Sequence, residues 1–189
     1  RFVLNETSYH GAGAIKEIAT EVKGRKFKKA FVCSDPDLIK FGVTKKVTDV
    51  LDNADIDYEI YSEIKPNPTI ENVQTGVAAF KASGADCIIA IGGGSSMDCA
   101  KAAGARVVKP NQSVRDMRGQ LKVHKKLPPF FAVPTTAGTG SETTVAAVVT
   151  DPETHEKNAI NDTCIRPKYA VLDPELTVGL PPHITSTTG

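Results

Sequence analysis

The stretch "ADCIIAIGGGSSMDCAK", residues 85–101, runs from apolar residues into three consecutive glycines, then two serines and, one residue on, an aspartate. Glycine is a poor builder of helices and strands, because its unhindered backbone loses the most freedom on folding. Gly92, Gly93 and Gly94 therefore mark a place where missing side chains are useful in themselves. The preceding "DCIIAIG" is apolar at successive positions, as a strand covered on both faces of a parallel sheet is. The following "SSMDCAKAAGARVVK" reads as a helix. The first N–H groups of a helix lack intrahelical partners, and its dipole attracts negative charge. Ser95 is expected to cap this helix, with Asp98 three residues on as the acidic member of a capping box. Two readings meet here: a cradle for a diphosphate, or a tight turn using glycine for positive φ. Three glycines in succession favour the cradle.

Outward from this turn, strand and helix alternate. "KKAFVCSD" (28–35) reads as a strand, and "PDLIKFGVTKKVTDVLDNA" (36–54) as one helix with Pro36 in its first turn. "DYEIYS" (57–62) is a second strand. "NPTIENVQTGVAAFKASG" (67–84) is a helix capped by Thr69 and stopped by Gly84, with Ile70, Val73, Val77 and Phe80 on one face. Further strands are expected in "PPFFAVPT", "TTVAAVVT", "KNAIN" and "KYAVLD". Repeated βα units imply one α/β domain over residues 1–189, a doubly wound parallel sheet. In such sheets ligands bind outside the carboxyl ends of the strands, where the glycines fall.

The spacing narrows the ligand. Met97 stands where a G-x-G-x-x-G pattern needs its last glycine, and no Lys-Ser or Lys-Thr follows the turn. Lys101 lies a turn too far into the helix to serve a nucleoside triphosphate, so kinase and ATPase chemistry recede. Asp35 ends the first strand where a carboxylate can take the hydroxyls of an adenosine ribose, although Asp before Pro is also ordinary turn chemistry. The second loop, "PTTAGTGSE" (134–142), offers Thr135, Thr136, Thr139 and Ser141 after another apolar strand. These hydroxyls either face a nicotinamide and its ribose or satisfy their own turn.

Bulk properties exclude several classes. The 189 residues are 40% hydrophobic and 24% charged with a net charge of +1, which gives no overall field for nucleic acid. The basic runs "KGRKFKK" (23–29) and "KVHKK" (122–126) lack the interleaved aromatics of a nucleic-acid platform and read as solvated surface. Cys33, Cys87, Cys99 and Cys164 are scattered, without metal spacing, which fits a reducing compartment. No run is long enough for a membrane span and "RFVLNETSYHG" lacks the core of a secretion signal, so the cytoplasm is the default.

In order, "NPT" (67–69), "GGGSSMDCAK" (92–101), "PTTAGTGSE" (134–142), Lys157 and "VLDPELTVGLPP" (171–182) resemble the iron-containing (group III) alcohol dehydrogenases, in particular their lactaldehyde reductase, propanediol and butanol dehydrogenase branch. The resemblance runs through nearly all of the sequence. It implies a Rossmann-like domain of the dehydroquinate synthase-like kind, in an NAD(P)-dependent enzyme that interconverts small alcohols and carbonyls with one Fe(II), sometimes Zn(II). It implies Asp35 at the adenosine ribose, Asn67 near the cofactor, and Gly93, Gly94, Ser95 and Asp98 at the pyrophosphate. It also implies Thr135, Thr136 and Thr139 along the adenine and nicotinamide sides, Lys157 at the nicotinamide ribose, and Leu176 and Leu180 covering the cofactor. By the family's spacing the first metal ligand would fall at position 191, and three histidines would follow from a helical second domain. His10, His124, His155 and His183 form no ligand pair, so no metal or catalytic residue is assigned within the sequence, and these residues alone are expected to be inactive. Homo-oligomers are expected, with neither nucleic acid nor membrane as partner. Rival readings are a glycerol dehydrogenase-like polyol oxidoreductase and a nucleotide-binding module without turnover.

Overall fold

The strand that ends in Gly92 lies inside a parallel sheet, next to the strand that ends in Ser34. The computed structural model describes residues 4–188. Its strands are β1 (Thr7–His10), β2 (Lys29–Ser34), β3 (Asp57–Tyr61), β4 (Cys87–Gly92), β5 (Gly119–Gln120), β6 (Phe130–Pro134), β7 (Ala146–Thr150), β8 (Lys157–Asn161) and β9 (Tyr169–Leu172). Its helices are α1 (Lys16–Gly24), α2 (Pro36–Lys40), α3 (Val43–Asn53), α4 (Ile70–Ser83), α5 (Gly94–Val108) and α6 (Pro182–Thr188). Six strands form one parallel sheet in the order β1-β9-β6-β4-β2-β3, the Rossmann-like α/β arrangement expected.

Both faces of that sheet are covered, which explains why β4 and β6 are apolar at every position. On one face Phe31, Cys33, Ile88, Ala90, Phe130 and Ala132 pack against Ile70, Val73 and Phe80 of α4 and Met97 and Ala103 of α5. On the other, Val32, Ile89, Ile91, Phe131 and Val133 pack against Ile18 and Val22 of α1 and Val47 and Leu51 of α3. Each fully buried aliphatic side chain contributes about 1.5–3 kcal/mol. Cys33, Cys87 and Cys99 are free thiols buried as small hydrophobes, and Cys164 is free and half-buried.

The ends of α4 fall where expected. Thr69 accepts from the Asn72 N–H, Asn72 Oδ1 accepts from the Thr69 N–H at 3.0 Å, and Gly84 stops the helix at φ +70°. The helix expected over 36–54 is instead two, α2 and α3, because Gly42 adopts φ +78° and turns the chain between them. A second difference lies in residues 119–161. β7 and β8 leave the main sheet and pair antiparallel, with β5 added parallel to β8. This small sheet packs beside α5. No helix among the described residues is long and apolar enough to cross a membrane.

Candidate cofactor site

After β2 the chain passes to α3 on one face of the sheet, and after β4 it passes to α5 on the other. The crossovers part between two adjacent strands, which opens a crevice at their carboxyl ends. The glycine turn fills that position. Of its three glycines only Gly92 has positive φ, at +140°, so the left-handed requirement sits one residue before the pair named as cofactor contacts. A Cβ on Gly92 would stand 2.6 Å from Ser96 Oγ, so this glycine is fixed by the fold itself.

Gly93 and Gly94 have a different reason to be bare. Gly93 is the N-cap of α5 in extended backbone, and no side chain caps the helix. The expected Ser95 cap is therefore corrected: the helix starts at Gly94, which puts Ser95 inside its first turn. Asp98 does not close a capping box either. Its carboxylate turns to the small sheet and accepts from the Val148 N–H at 3.1 Å. Burial raises the Asp98 pKa, against the Val148 N–H and the Lys101 charge, which lower it. What remains at the tip is a 15-residue helix with uncapped N–H groups behind two residues lacking Cβ atoms.

The second loop stands across from that tip. β6 pairs with β4, and the Thr135 N–H donates to the Gly92 carbonyl at 3.0 Å, locking the two turns together. A Cβ on Gly93 would come within 3.3 Å of Thr136 Oγ1, and one on Gly94 within 3.3 Å of Ser141 Oγ. Thr136 Oγ1 is buried and has no hydrogen-bond partner among the described residues. Thr139 is exposed on the same loop. Beside it opens a cleft of about 360 Å³, lined by Thr136, Glu142, Asp173, Pro174 and Thr177 among others. A bare cradle, free helix N–H groups and an orphaned hydroxyl fit a bound diphosphate.

The other expected residues divide into groups. Asp35 directly follows β2 and is half-buried, but it also caps α2, accepting from the Asp37 N–H at 2.7 Å. Asn67, exposed at φ +54°, and the exposed Lys157 lie in neighbouring segments. Thr150 joins them: it pairs with Lys157 in the small sheet, bridges to Thr69, and donates its N–H to the Pro68 carbonyl at 2.8 Å. Leu180 is half-buried, whereas Leu176 is 2% exposed and packs into the core cluster of α1 and α3. Gly92, Ser141 and Lys101 belong to the site region but are not among the cofactor contacts that the family resemblance implies. The hydroxyl run in "TTAGTGSE" is the signal for Ser141; the three-residue step from Asp98 to Lys101 is the only one for the lysine.

No group of three or more His, Cys, Asp or Glu side chains among the described residues is placed to hold a metal ion. The described residues therefore do not fit an iron site.

The chain is 41% identical to lactaldehyde reductase of Escherichia coli (strain K12) over its whole length, matching 50% of that protein. Its fold superposes on 1,3-propanediol oxidoreductase with a TM-score of 0.95 at 32% identity, covering 100% of this chain and 49% of the other. Sulfoacetaldehyde reductase from Bifidobacterium kashiwanohense, solved in complex with NAD+, superposes at 0.87 with 28% identity, covering 100% of this chain and 50% of that one. The chain thus spans about half the length of the relatives it matches. The family model for iron-containing alcohol dehydrogenase matches residues 5–174, from before the first strand to beyond the last, and through both loops of the crevice. By sequence and by fold, the chain belongs to the iron-containing alcohol dehydrogenase family.

Proposed function

We propose that residues 1–189 form the NAD-binding domain of an alcohol dehydrogenase that interconverts small alcohols and aldehydes. The observation that carries the reading is the unpartnered, buried Thr136 Oγ1 set opposite the bare Gly93 at the uncapped start of α5. A diphosphate at the start of α5, beside that contact, gives the hydroxyl an acceptor and the helix N–H groups their anion. NAD, when bound, supplies the hydride acceptor; the protein's part is to hold and orient it. In this assignment Gly93, Gly94 and Ser95 take the pyrophosphate. Asp35 takes the adenosine ribose, and Asn67 with Lys157 closes on the nicotinamide ribose. Thr135, Thr136 and Thr139 line the channel, with Leu180 at its rim. Asp98 and Leu176 act from behind it, through β7 and the core. The names of the relatives, among them lactaldehyde reductase and sulfoacetaldehyde reductase, support a short-chain alcohol or aldehyde as substrate. The Fe(II) or Zn(II) of the reaction is assigned to residues outside this sequence, and the working enzyme to a cytoplasmic homo-oligomer.

Titration with NADH, followed by nicotinamide fluorescence, tests the binding assignment. Saturable binding of NADH in preference to NADPH is expected, with no alcohol oxidation by these residues under added Fe(II) or Zn(II). Failure to bind either dinucleotide overturns the assignment. Metal-dependent turnover by these residues alone overturns the placement of the metal outside them.

A further inference from the structure

Lys101 is fully buried in α5, yet it makes no ion pair within 4 Å among the described residues. A lysine in that position is rare, because an ammonium leaves water at high cost unless its hydrogen bonds are replaced. The replacements all come from one short segment. Nζ donates to the carbonyl of Ser141 at 2.7 Å, to the carbonyl and Oγ1 of Thr144 at 3.1 and 3.0 Å, and to the carbonyl of Ala146 at 3.1 Å. One turn earlier on the same helix face, Asp98 accepts from the Val148 N–H. The pair thus reads the backbone of residues 141–148 from two ends, the cation taking carbonyls and the anion an amide. Between them the segment has little regular structure of its own: Thr143 and Thr144 donate to the Gly140 carbonyl, and β7 begins only at Ala146.

This segment continues directly from the loop that faces the glycine turn. Ser141, whose carbonyl Lys101 holds, carries the hydroxyl that stands 3.3 Å from the Cβ position of Gly94. Lys101 and Gly94 ride on the same helix, seven residues apart and about 10 Å along its axis. A rigid helix therefore presents both the anion-binding tip and the anchor of the opposing loop. We infer that Lys101 is a positioning residue, whose ammonium fixes the 141–146 segment to α5 and so sets how closely Thr136 and Ser141 approach Gly93–Gly94 at the rim of the slot before α5. The inference rests on the reading of that slot as the dinucleotide site. An aliphatic side chain would fill the same volume without the cost of burying charge, so filling the core is not what requires a lysine here. Burial lowers the Lys101 pKa to about 8, opposed by the charges of Asp98 and Glu142, the ionisable groups that face it.

The test uses the full chain with Lys101→Met, Thr144→Val and the parent. NADH affinity is measured beside thermal unfolding and hydrogen exchange of residues 136–146. In folded Lys101→Met, NADH affinity is expected to fall by about tenfold or more, and Thr144→Val by about threefold. Exchange should rise in 136–146 while β2 and β4 keep the parent's protection. Raising the solution from about pH 7 to about pH 9.5 should weaken NADH binding by the parent, a dependence that Lys101→Met flattens. Parent affinity, local exchange and pH profile in folded Lys101→Met overturn the inference. If that variant does not fold, Thr144→Val with unchanged affinity and unchanged exchange overturns it instead. A parent that binds no NADH refutes the dinucleotide reading, and with it the role given to the slot. Raised local exchange in the variants then still supports the anchoring of 141–146 by Lys101.

Discussion

Gly92 and Ser96 compete for one space: Ser96 Oγ lies 2.6 Å from where a Cβ on Gly92 would stand, and the backbone of Gly92 is held at φ +140°. Gly92→Ala therefore brings both a clash and a backbone conformation that alanine resists. A loss of about 3 kcal/mol is expected in urea unfolding. Adding Ser96→Ala should recover the part due to the hydroxyl and leave the part due to φ. Full recovery would show that the backbone term is absent.

Gly93 and Gly94 carry no such strain, and their replacement separates binding from stability. Neither has positive φ, and the nearest atoms an added Cβ would meet are the Thr136 and Ser141 hydroxyls, at 3.3 Å. Gly94→Ala should lower NADH affinity about tenfold while unfolding free energy changes by less than about 1 kcal/mol. The opposite pattern, with lost stability and intact affinity per folded molecule, would mark the turn as purely structural.

Asp35 has two jobs in the structure, so its substitution needs two variants. Facing a 2′-phosphate at about 5 Å and an effective dielectric of about 20, its charge repels by about 3 kcal/mol, near a hundredfold preference for NAD(H). Asp35→Gly removes both that charge and the side-chain acceptor for the Asp37 N–H. Asp35→Ser removes the charge and keeps a cap. Both should narrow the gap between NADH and NADPH, with Asp35→Ser retaining more of the parent's thermal stability. A gap unchanged in both variants would remove Asp35 from the ribose end.

A pH prediction follows from the turn after β7. Arg115 Nε and Nη2 donate to the buried Asp151 carboxylate at 2.6 and 3.0 Å. This pair, aided by backbone N–H groups of the 151–156 turn, lowers the Asp151 pKa to about 2. A folded-state value below the unfolded one stabilises above the unfolded value near 4 and is lost as pH falls through about 2. Asp151→Asn should lower the melting temperature at neutral pH and flatten the acid limb between about pH 4 and about pH 2. A parallel acid limb in parent and variant would refute the coupling.

How much of this was legible depends on whether each signal is local. The limits of α4 were readable because Thr69, Asn72 and Gly84 are chemical punctuation within one segment. The break at Gly42 was hidden because Leu38, Val43, Val47 and Leu51 keep a helical rhythm across it. β1 escaped because an edge strand reading "TSYH" has no apolar run. The crevice itself was legible, since two glycine-bearing loops followed two apolar strands. The partner of Lys101 was not, because backbone carbonyls forty residues away leave no mark in composition or spacing. The capping-box expectation for Asp98 fails for the same reason: its carboxylate accepts from Val148, fifty residues on.

Thr150 shares its backbone between Lys157 on one side and the Pro68–Thr69 stretch on the other. Asn67 and Lys157 are therefore geared together, although ninety residues of chain separate them. A change that shifts the 151–156 turn is expected to move Lys157 and, through Thr150, the entry to α4. The two side chains cannot be tuned one at a time. Substitutions at Asn67 and Lys157 should behave as a coupled pair in a double-mutant cycle, whereas either one combined with a change at Asp35 should simply add.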